Sequence, residues 1–276
     1  MQAKITGVGH FTPAKKLTNH DLEKLVDTND EWITTRTGIH ERRILDKDKG
    51  TSYMAIKAAE AVIAQTRIAA EEIDLILIAT VTPDMPVPAT AAIVQENIGA
   101  ANAWGFDLNG GCTGFICALA TGSQFIQTGK HQKVLVIGAD KMSSIVNYED
   151  RTTCILFGDA AGAVLLEPSN DGDCGIRDFI LHLDGSGAEY LNMAAGGSLR
   201  PATRETVDQK MQYVYQNGKK VFKHAVSGMA DVSAEIIGRN NLSDQEVACL
   251  IPHQANLKII DAAAKKLRLT PEQVII

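Results

Sequence analysis

A thiol set up to act as a nucleophile and an imidazole set up to act as a base or hydrogen-bond donor stand out in this chain. Cys112 lies in Phe106-Asp107-Leu108-Asn109-Gly110-Gly111-Cys112-Thr113-Gly114-Phe115. There a short apolar strand passes through a glycine turn into apolar residues at helical spacing (Phe115, Ile116, Leu119, Phe125, Ile126). A sulfur at a helix N-terminus meets unpaired backbone N–H groups and the positive end of the macrodipole, which favour thiolate over thiol. Gly110, Gly111 and Gly114 let backbone, or a substrate, come close. Outside such a setting a free cysteine is usually a buried, inert thiol. His253 follows a second apolar run, Val247-Ala248-Cys249-Leu250-Ile251-Pro252, and precedes a helical pattern of Leu257, Ile260, Ala263, Ala264 and Leu267. Alone it reads as a capping or packing histidine. With Cys112 it forms a Cys/His pair of the kind that activates a nucleophile.

The elements that must position these two residues alternate. Strands are predicted at 4–8, 73–78, 104–108, 133–138, 160–167, 247–251 and 273–276. Helices are predicted at 21–27 (capped by Thr18 or Asn19), 51–67, 89–98, 113–128 and 219–239, and from Leu257 onward. Continuous apolar strands between helices argue for a largely parallel sheet covered on both faces. Ligands in such folds bind at the C-terminal strand ends, where both Cys112 and His253 fall. A weak long-period repeat relates the 51–78 unit to 219–251, each a helix, an acidic turn and a strand, which argues for two duplicated halves. The turn-rich stretch 168–175 marks their boundary, giving domains 1–170 and 171–276. Cys112 and His253 are then expected to meet across the seam. Residues 185–204 read as a surface loop.

Composition narrows the function classes. A chain of 276 residues with 45% apolar content buries a substantial core. Its net charge of −6 offers no global attraction to nucleic acid or an anionic membrane. Five cysteines at uneven intervals read as reduced thiols, hence a cytoplasmic protein. No apolar run is long enough to span a bilayer, and no His-x-x-x-His or Cys-x-x-Cys spacing points to a metal.

Four motifs carry a resemblance. They are Asp30-Glu31-Trp32-Ile33-Thr34-Thr35-Arg36-Thr37-Gly38-Ile39 with Glu41-Arg42-Arg43; Gly111-Cys112-Thr113-Gly114-Phe115; Phe157-Gly158-Asp159-Ala160-Ala161-Gly162-Ala163; and His253-Gln254-Ala255-Asn256. In this order they make the whole chain closely resemble β-ketoacyl-[acyl-carrier-protein] synthase III. The resemblance implies an α/β, thiolase-like fold: two duplicated halves in a five-layer αβαβα arrangement, active as a homodimer. It implies condensation of a short acyl-CoA primer with malonyl-[acyl-carrier-protein], through an acyl-cysteine, to start type II fatty acid synthesis without a cofactor. The family's catalytic asparagine, in a Gly-Asn-Thr/Ser motif, follows the His-Gln-Ala-Asn segment. The sequence stops at Ile276 before it, so the second half is expected to be incomplete and the chain alone to condense poorly.

By the same resemblance Trp32 and Arg151 sandwich the CoA adenine, with Arg36 nearby. Gly218, Phe222, Ala255 and Asn256 line the pantetheine path. Val87 floors the partner subunit's acyl pocket, where a smaller side chain than the frequent phenylalanine deepens it for longer or branched primers. Lys219, Lys220, Lys223, Lys258, Lys265 and Lys266, with Arg268, form a basic rim for an acidic carrier protein. The other readings are a condensing enzyme of secondary metabolism and a non-catalytic synthase-like protein that binds acyl carriers.

Overall fold

The computed structural model describes residues 1–170 and 174–276. In chain order the first elements are β1 (Gln2–Phe11), β2 (Lys16–Thr18), α1 (Asn19–Leu22), α2 (Asp30–Thr37), β3 (Glu41–Arg43), α3 (Thr51–Thr66), β4 (Leu75–Ala79), α4 (Thr90–Ile98), β5 (Trp104–Leu108), α5 (Gly114–Gln127), β6 (Val134–Lys141) and β7 (Asp159–Ser169). They are followed by β8 (Leu191–Met193), α6 (Arg204–Asp208), β9 (Val214–Gln216), α7 (Gly218–Arg239) and α8 (Leu257–Lys266). The described residues divide into two compact units. One holds Met1–Lys16, Arg43–Ser144 and Gly158–Phe179; the other holds Leu17–Arg42, Ile145–Phe157 and Ile180–Ile276.

The first unit is built on a five-stranded sheet in the order β1-β7-β6-β4-β5. The inner strand β4, between β6 and β5, is buried throughout. Its alternate side chains serve opposite faces, as the pleat requires. Leu75, Leu77 and Ala79 join Val134, Val136 and Leu166 against Ala118 and Ile126 of α5. Ile76 and Ile78 join Leu135, Ile137 and Leu165 against Met54, Ala58 and Val62 of α3 and Val94 of α4. Each fully buried Leu or Ile here contributes on the order of 2 kcal/mol. Gly9 sets how closely β1 lies on α3: a Cβ there would fall 2.5 Å from the Ala58 carbonyl oxygen.

The sheet is mixed, which corrects the largely parallel expectation. β4 runs parallel to β5 and β6, whereas β7 runs antiparallel to both β6 and β1. Apolar continuity reports burial on two faces and carries no information on strand direction.

In the second unit Leu22, Ile33, Val146, Cys154, Ile155 and Val214 form a core, and α7 packs on α8. α2 is capped by Asn29, whose side chain accepts from the Trp32 N–H, and ends at Gly38 in the left-handed conformation. The predicted strands at 247–251 and 273–276 reduce to one parallel bridge, Leu250 with Val274. Leu250 N–H donates to the Gln273 carbonyl at 2.7 Å and Ile275 N–H to the Leu250 carbonyl at 3.0 Å. An apolar run becomes a ladder only where a neighbour pairs along its length, and these two meet at a single position. The helix predicted at 21–27 is the short α1, capped by Thr18. The 185–204 loop contains β8, which pairs with β9. The boundary predicted at 168–175 falls partly on 171–173, outside the described residues. A cut at 170 also leaves 17–42 and 145–157 in the first half, although they pack with the later residues.

Candidate active site

In the first unit, β5 ends at Leu108 and the chain turns through Gly110 and Gly111 into a 3-10 turn, Gly111–Thr113, which α5 continues. Gly111 has φ +55°, a conformation glycine adopts without strain. Thr113 N–H and Oγ1 both reach the Gly110 carbonyl, at 3.2 and 2.9 Å, which closes the turn. Cys112 therefore stands at the head of α5 as the sequence predicts, with an exposed side chain.

The electrostatics differ from the expectation. Burial of the thiol among protein atoms pushes its pKa above the ordinary value, the Asp140 carboxylate adds to that, and only a backbone hydrogen bond opposes it. Accessible area and desolvation disagree in appearance only: a side chain in a recess remains open to contact while losing most of its bulk water. The helix terminus alone thus does not make Cys112 a resting thiolate. Asp140, at the end of β6, is the feature sequence reading missed. Its Oδ1 accepts from Val81 N–H (2.8 Å), Thr82 Oγ1 (2.9 Å), Thr80 Oγ1 (3.1 Å) and Thr82 N–H (3.2 Å). Burial nevertheless raises its own pKa. No spacing rule links position 140 to 112; only the parallel pairing of β4 with both β5 and β6 brings their C-terminal ends to one edge.

In the second unit, His253 follows the Leu250 bridge and precedes α8, again an exposed side chain whose pKa burial lowers. It is held neutral near pH 7, the form in which one ring nitrogen donates and the other accepts. Gln254 fixes the turn through Nε2, which donates to the Pro252 and Ile275 carbonyls at 3.1 and 3.0 Å. Asn256 caps α8, its Oδ1 accepting from Lys258 N–H at 2.9 Å, and Ala255 is half-buried beside it. Gly218 starts α7, and Phe222 is exposed one turn later.

The second unit also gathers Trp32, Arg36 and Arg151. The Arg151 and Arg36 guanidinium carbons lie 4.8 and 4.9 Å from the Trp32 ring centroid. Arg151 also approaches Asp27 at 3.5 Å. A base held between Trp32 and Arg151 needs two stacking layers, on the order of 7 Å. The pair is collapsed on itself here, and a base entering between them must displace Arg151 by about 2 Å. Thr28, which sequence reading passed over, buries its Oγ1 without a partner one residue before the Asn29 cap.

Lys219, Lys220 and Lys223 are exposed along the first turns of α7, and Lys258, Lys265 and Lys266 along α8. Lys266 pairs with Asp231 of α7, and Lys220 lies over the Tyr190 ring at 5.5 Å. Val87 is 81% exposed on the loop before α4.

Comparison with known proteins gives this arrangement its context. A family model described as 3-oxoacyl-[acyl-carrier-protein] synthase III matches residues 106–185, and the model of its C-terminal part matches 237–276. The synthase III of Chlorobium chlorochromatii is 55% identical over all of this chain and 84% of its own length, and that of Koribacter versatilis 51% identical over all of this chain and 83% of its own. The solved synthase III of Aquifex aeolicus superposes with a TM-score of 0.86 at 42% identity, covering 99% of this chain and 83% of that one. That of Pseudomonas aeruginosa gives 0.91 at 34%, covering 100% and 83%. The chain thus has the thiolase-like α/β fold and, with its Cys112 and His253 motifs in place, belongs to the β-ketoacyl-[acyl-carrier-protein] synthase III family of condensing acyltransferases.

Proposed function

We propose that Cys112 and His253 carry this family's reaction in the chain: decarboxylative condensation of a short acyl-CoA primer with malonyl-[acyl-carrier-protein], which starts type II fatty acid synthesis. The observation that carries the reading is an accessible cysteine held by a glycine turn at the head of α5. Its sulfur, once deprotonated, attacks the primer thioester carbonyl; the C–S bond to CoA breaks and the CoA thiolate leaves with a proton. Thioester exchange is nearly balanced, so the acyl-cysteine stores the group without loss. The malonyl thioester then releases carbon dioxide, and the electron pair moves into an enolate. A neutral imidazole that donates Nε2–H to the enolate oxygen stabilises that charge, and burial keeps His253 neutral for the role. The carbanion attacks the acyl-Cys112 carbonyl and expels the thiolate. The backbone N–H of Cys112 serves the tetrahedral oxyanion. Every electron pair is accounted for by thiol, imidazole and the two thioesters, so the scheme needs no cofactor.

Trp32, Arg36 and Arg151 receive the adenine end of the primer, and Thr28 offers its unpaired hydroxyl to the base. Gly218, Phe222, Ala255 and Asn256 follow the pantetheine arm. Lys219, Lys220 and Lys223 sit at the positive pole of α7, where cations are disfavoured by the macrodipole. An acidic carrier protein is the partner that such a cluster suits, with Lys258, Lys265 and Lys266 adding to the rim. A homodimer is supported by β5, which among the described residues pairs only with β4 and leaves its other edge and the half-exposed Trp104 open to a second copy. Val87 then reaches the partner's acyl pocket. The two duplicated halves, 1–170 and 171–276, are supported by a local echo: α3, the 3-10 turn Ala70–Glu72 and β4 against α7, the 3-10 turn Asp244–Glu246 and the Leu250 bridge. Among the described residues no helix is long and apolar enough to cross a membrane; a cytoplasmic site is the reading consistent with the substrates.

The test is to mix the chain with acetyl-CoA and malonyl-[acyl-carrier-protein] and to measure carbon dioxide release and the mass of the carrier-bound product. Acetoacetyl carrier protein that disappears with Cys112→Ala supports the scheme. Product formed equally by Cys112→Ala contradicts it.

A further inference from the structure

Arg42 is a buried cation, 2% exposed, and its hydrogen-bond partners are neutral oxygens. Its Nε donates to the Ile155 carbonyl at 2.9 Å, Nη2 donates to the same oxygen, and Nη1 donates to Asn19 Oδ1. Asn19, itself 1% exposed, passes the connection on. Its Nδ2 donates to Asp30 Oδ1 (2.7 Å), the Ile39 carbonyl (2.9 Å) and Thr34 Oγ1 (3.2 Å). Asp30 and Thr34 flank Trp32 on α2. Ile155 lies four residues after Arg151, in a turn closed by the Asp150 carbonyl, which accepts from Cys154 N–H at 3.0 Å and Thr153 N–H at 3.2 Å.

Among the described residues no carboxylate pairs with this guanidinium, and such a buried cation is a poor device for stability alone, because desolvation is offset only by the bonds it makes. Desolvation lowers its pKa to about 10, so it stays charged at neutral pH. Its value lies in its shape. The planar fork reaches one carbonyl with two N–H groups and a side-chain oxygen with a third, which a lysine ammonium on a flexible stem cannot reproduce in a fixed plane. One continuous path therefore runs from the turn that carries Arg151, through Arg42 and Asn19, to the helix that carries Trp32. That path ties the backbone on which Arg151 stands to the backbone on which Trp32 stands, and leaves the Arg151 side chain free to swing aside.

We propose that Arg42 and Asn19 are positioning residues for the nucleotide end of the primer, holding α2 and the 150–155 turn in the register at which Trp32 and Arg151 receive a base. The inference rests on the adenine reading given above and adds the residues that make the receiving pair. Neither touches substrate. Loosening the bridge leaves the thiol chemistry at Cys112 alone and weakens only thioesters that carry the nucleotide.

The experiment compares two primers, acetyl-CoA and S-acetyl-pantetheine, which lacks the nucleotide, as acetyl donors to Cys112. Arg42→Lys is expected to raise KM for acetyl-CoA about 5- to 20-fold, the range a stacked cation and base provide. Its kcat, and kcat/KM for S-acetyl-pantetheine, stay within about twofold of wild type. In a Trp104→Phe background, which leaves Trp32 as the sole tryptophan, Arg42→Lys also alters the Trp32 emission before ligand is added. Equal loss with both thioesters would show a general structural role and overturn the proposal, as would an unchanged KM for acetyl-CoA. Should Arg42→Lys not fold, Asn19→Ser removes the donor to Asp30 and is read the same way. A wild-type chain that accepts acetyl from S-acetyl-pantetheine but gains nothing from the CoA nucleotide would overturn the adenine reading and this proposal with it. Failure with both donors would instead strike the role of Cys112.

Discussion

Replacing Asp140 by Asn isolates the charge that restrains the nucleophile. All four hydrogen bonds to this carboxylate end on Oδ1, and an asparagine keeps that oxygen while losing the negative charge. Weakening four charge-assisted bonds costs about 1 kcal/mol each, partly offset because a charge is no longer buried. Burial raises the Asp140 pKa, but in the alkaline range where a thiol titrates the group is a carboxylate and repels a Cys112 thiolate. With that repulsion gone, the Cys112 pKa falls toward the ordinary thiol value, although burial still holds it up. Below the pKa the thiolate fraction then rises about tenfold for each unit of fall. A less basic thiolate is a weaker nucleophile, with a Brønsted slope of about 0.4–0.5, so each anion reacts about threefold more slowly per unit. The predicted pH–rate curves cross: Asp140→Asn acetylates faster than wild type near pH 7 and more slowly above the thiol pKa. Single-turnover acetylation by acetyl-CoA, quenched and weighed across pH 6 to 10, reads both limbs. Curves that superimpose, or an Asp140→Asn curve displaced to higher pH, would refute the electrostatic argument.

Further outcomes follow from the same geometry. His253→Ala should leave Cys112 acylation intact and slow malonyl decarboxylation by roughly 100- to 1,000-fold, because one enolate donor is lost. Burial depresses the His253 pKa, so the unfolded chain takes up the proton first as pH falls below about 6.5; stability should decline from there toward the folded pKa. A His253→Asn variant should lack that part of the decline in melting curves between pH 7 and 5. Gly9→Ala forces a methyl to within 2.5 Å of the Ala58 backbone oxygen, and should destabilise by about 1–3 kcal/mol in denaturant titration. Val87→Phe should cut transfer from octanoyl-CoA more than from acetyl-CoA; equal transfer rates in both variants would count against a chain-length role for this loop.

The parts of the fold legible in the sequence were those encoded locally. The β5 boundaries, the α3 start at Thr51 and the helix after Cys112 follow from apolar period and glycine placement, and the structure agrees within a residue or two. Strand direction was not legible, because β7 carries the same apolar run whether it lies parallel or antiparallel to β6. The run at 247–251 reads as a strand by composition, yet among the described residues only Leu250 forms a strand bridge. At the site, motif residues located Cys112, His253 and the Trp32–Arg36–Arg151 cluster. No pattern announced Asp140, and Arg42 stood in the Glu41-Arg42-Arg43 motif without a role, since what each does depends on partners 28 or more positions away: Cys112 for one, Ile155 for the other. The expected low-pKa thiolate failed for the same reason: a helix start is visible in sequence, whereas desolvation and a neighbouring carboxylate arise only when strands align.

Intact mass measurement of the protein after brief mixing with acetyl-CoA, beside Cys112→Ala, tests the central claim most directly. The account predicts one added acetyl group on the wild-type chain, mapped by peptide analysis to Cys112, and none on the variant. An unmodified wild-type chain, or an adduct that persists in Cys112→Ala, would contradict it.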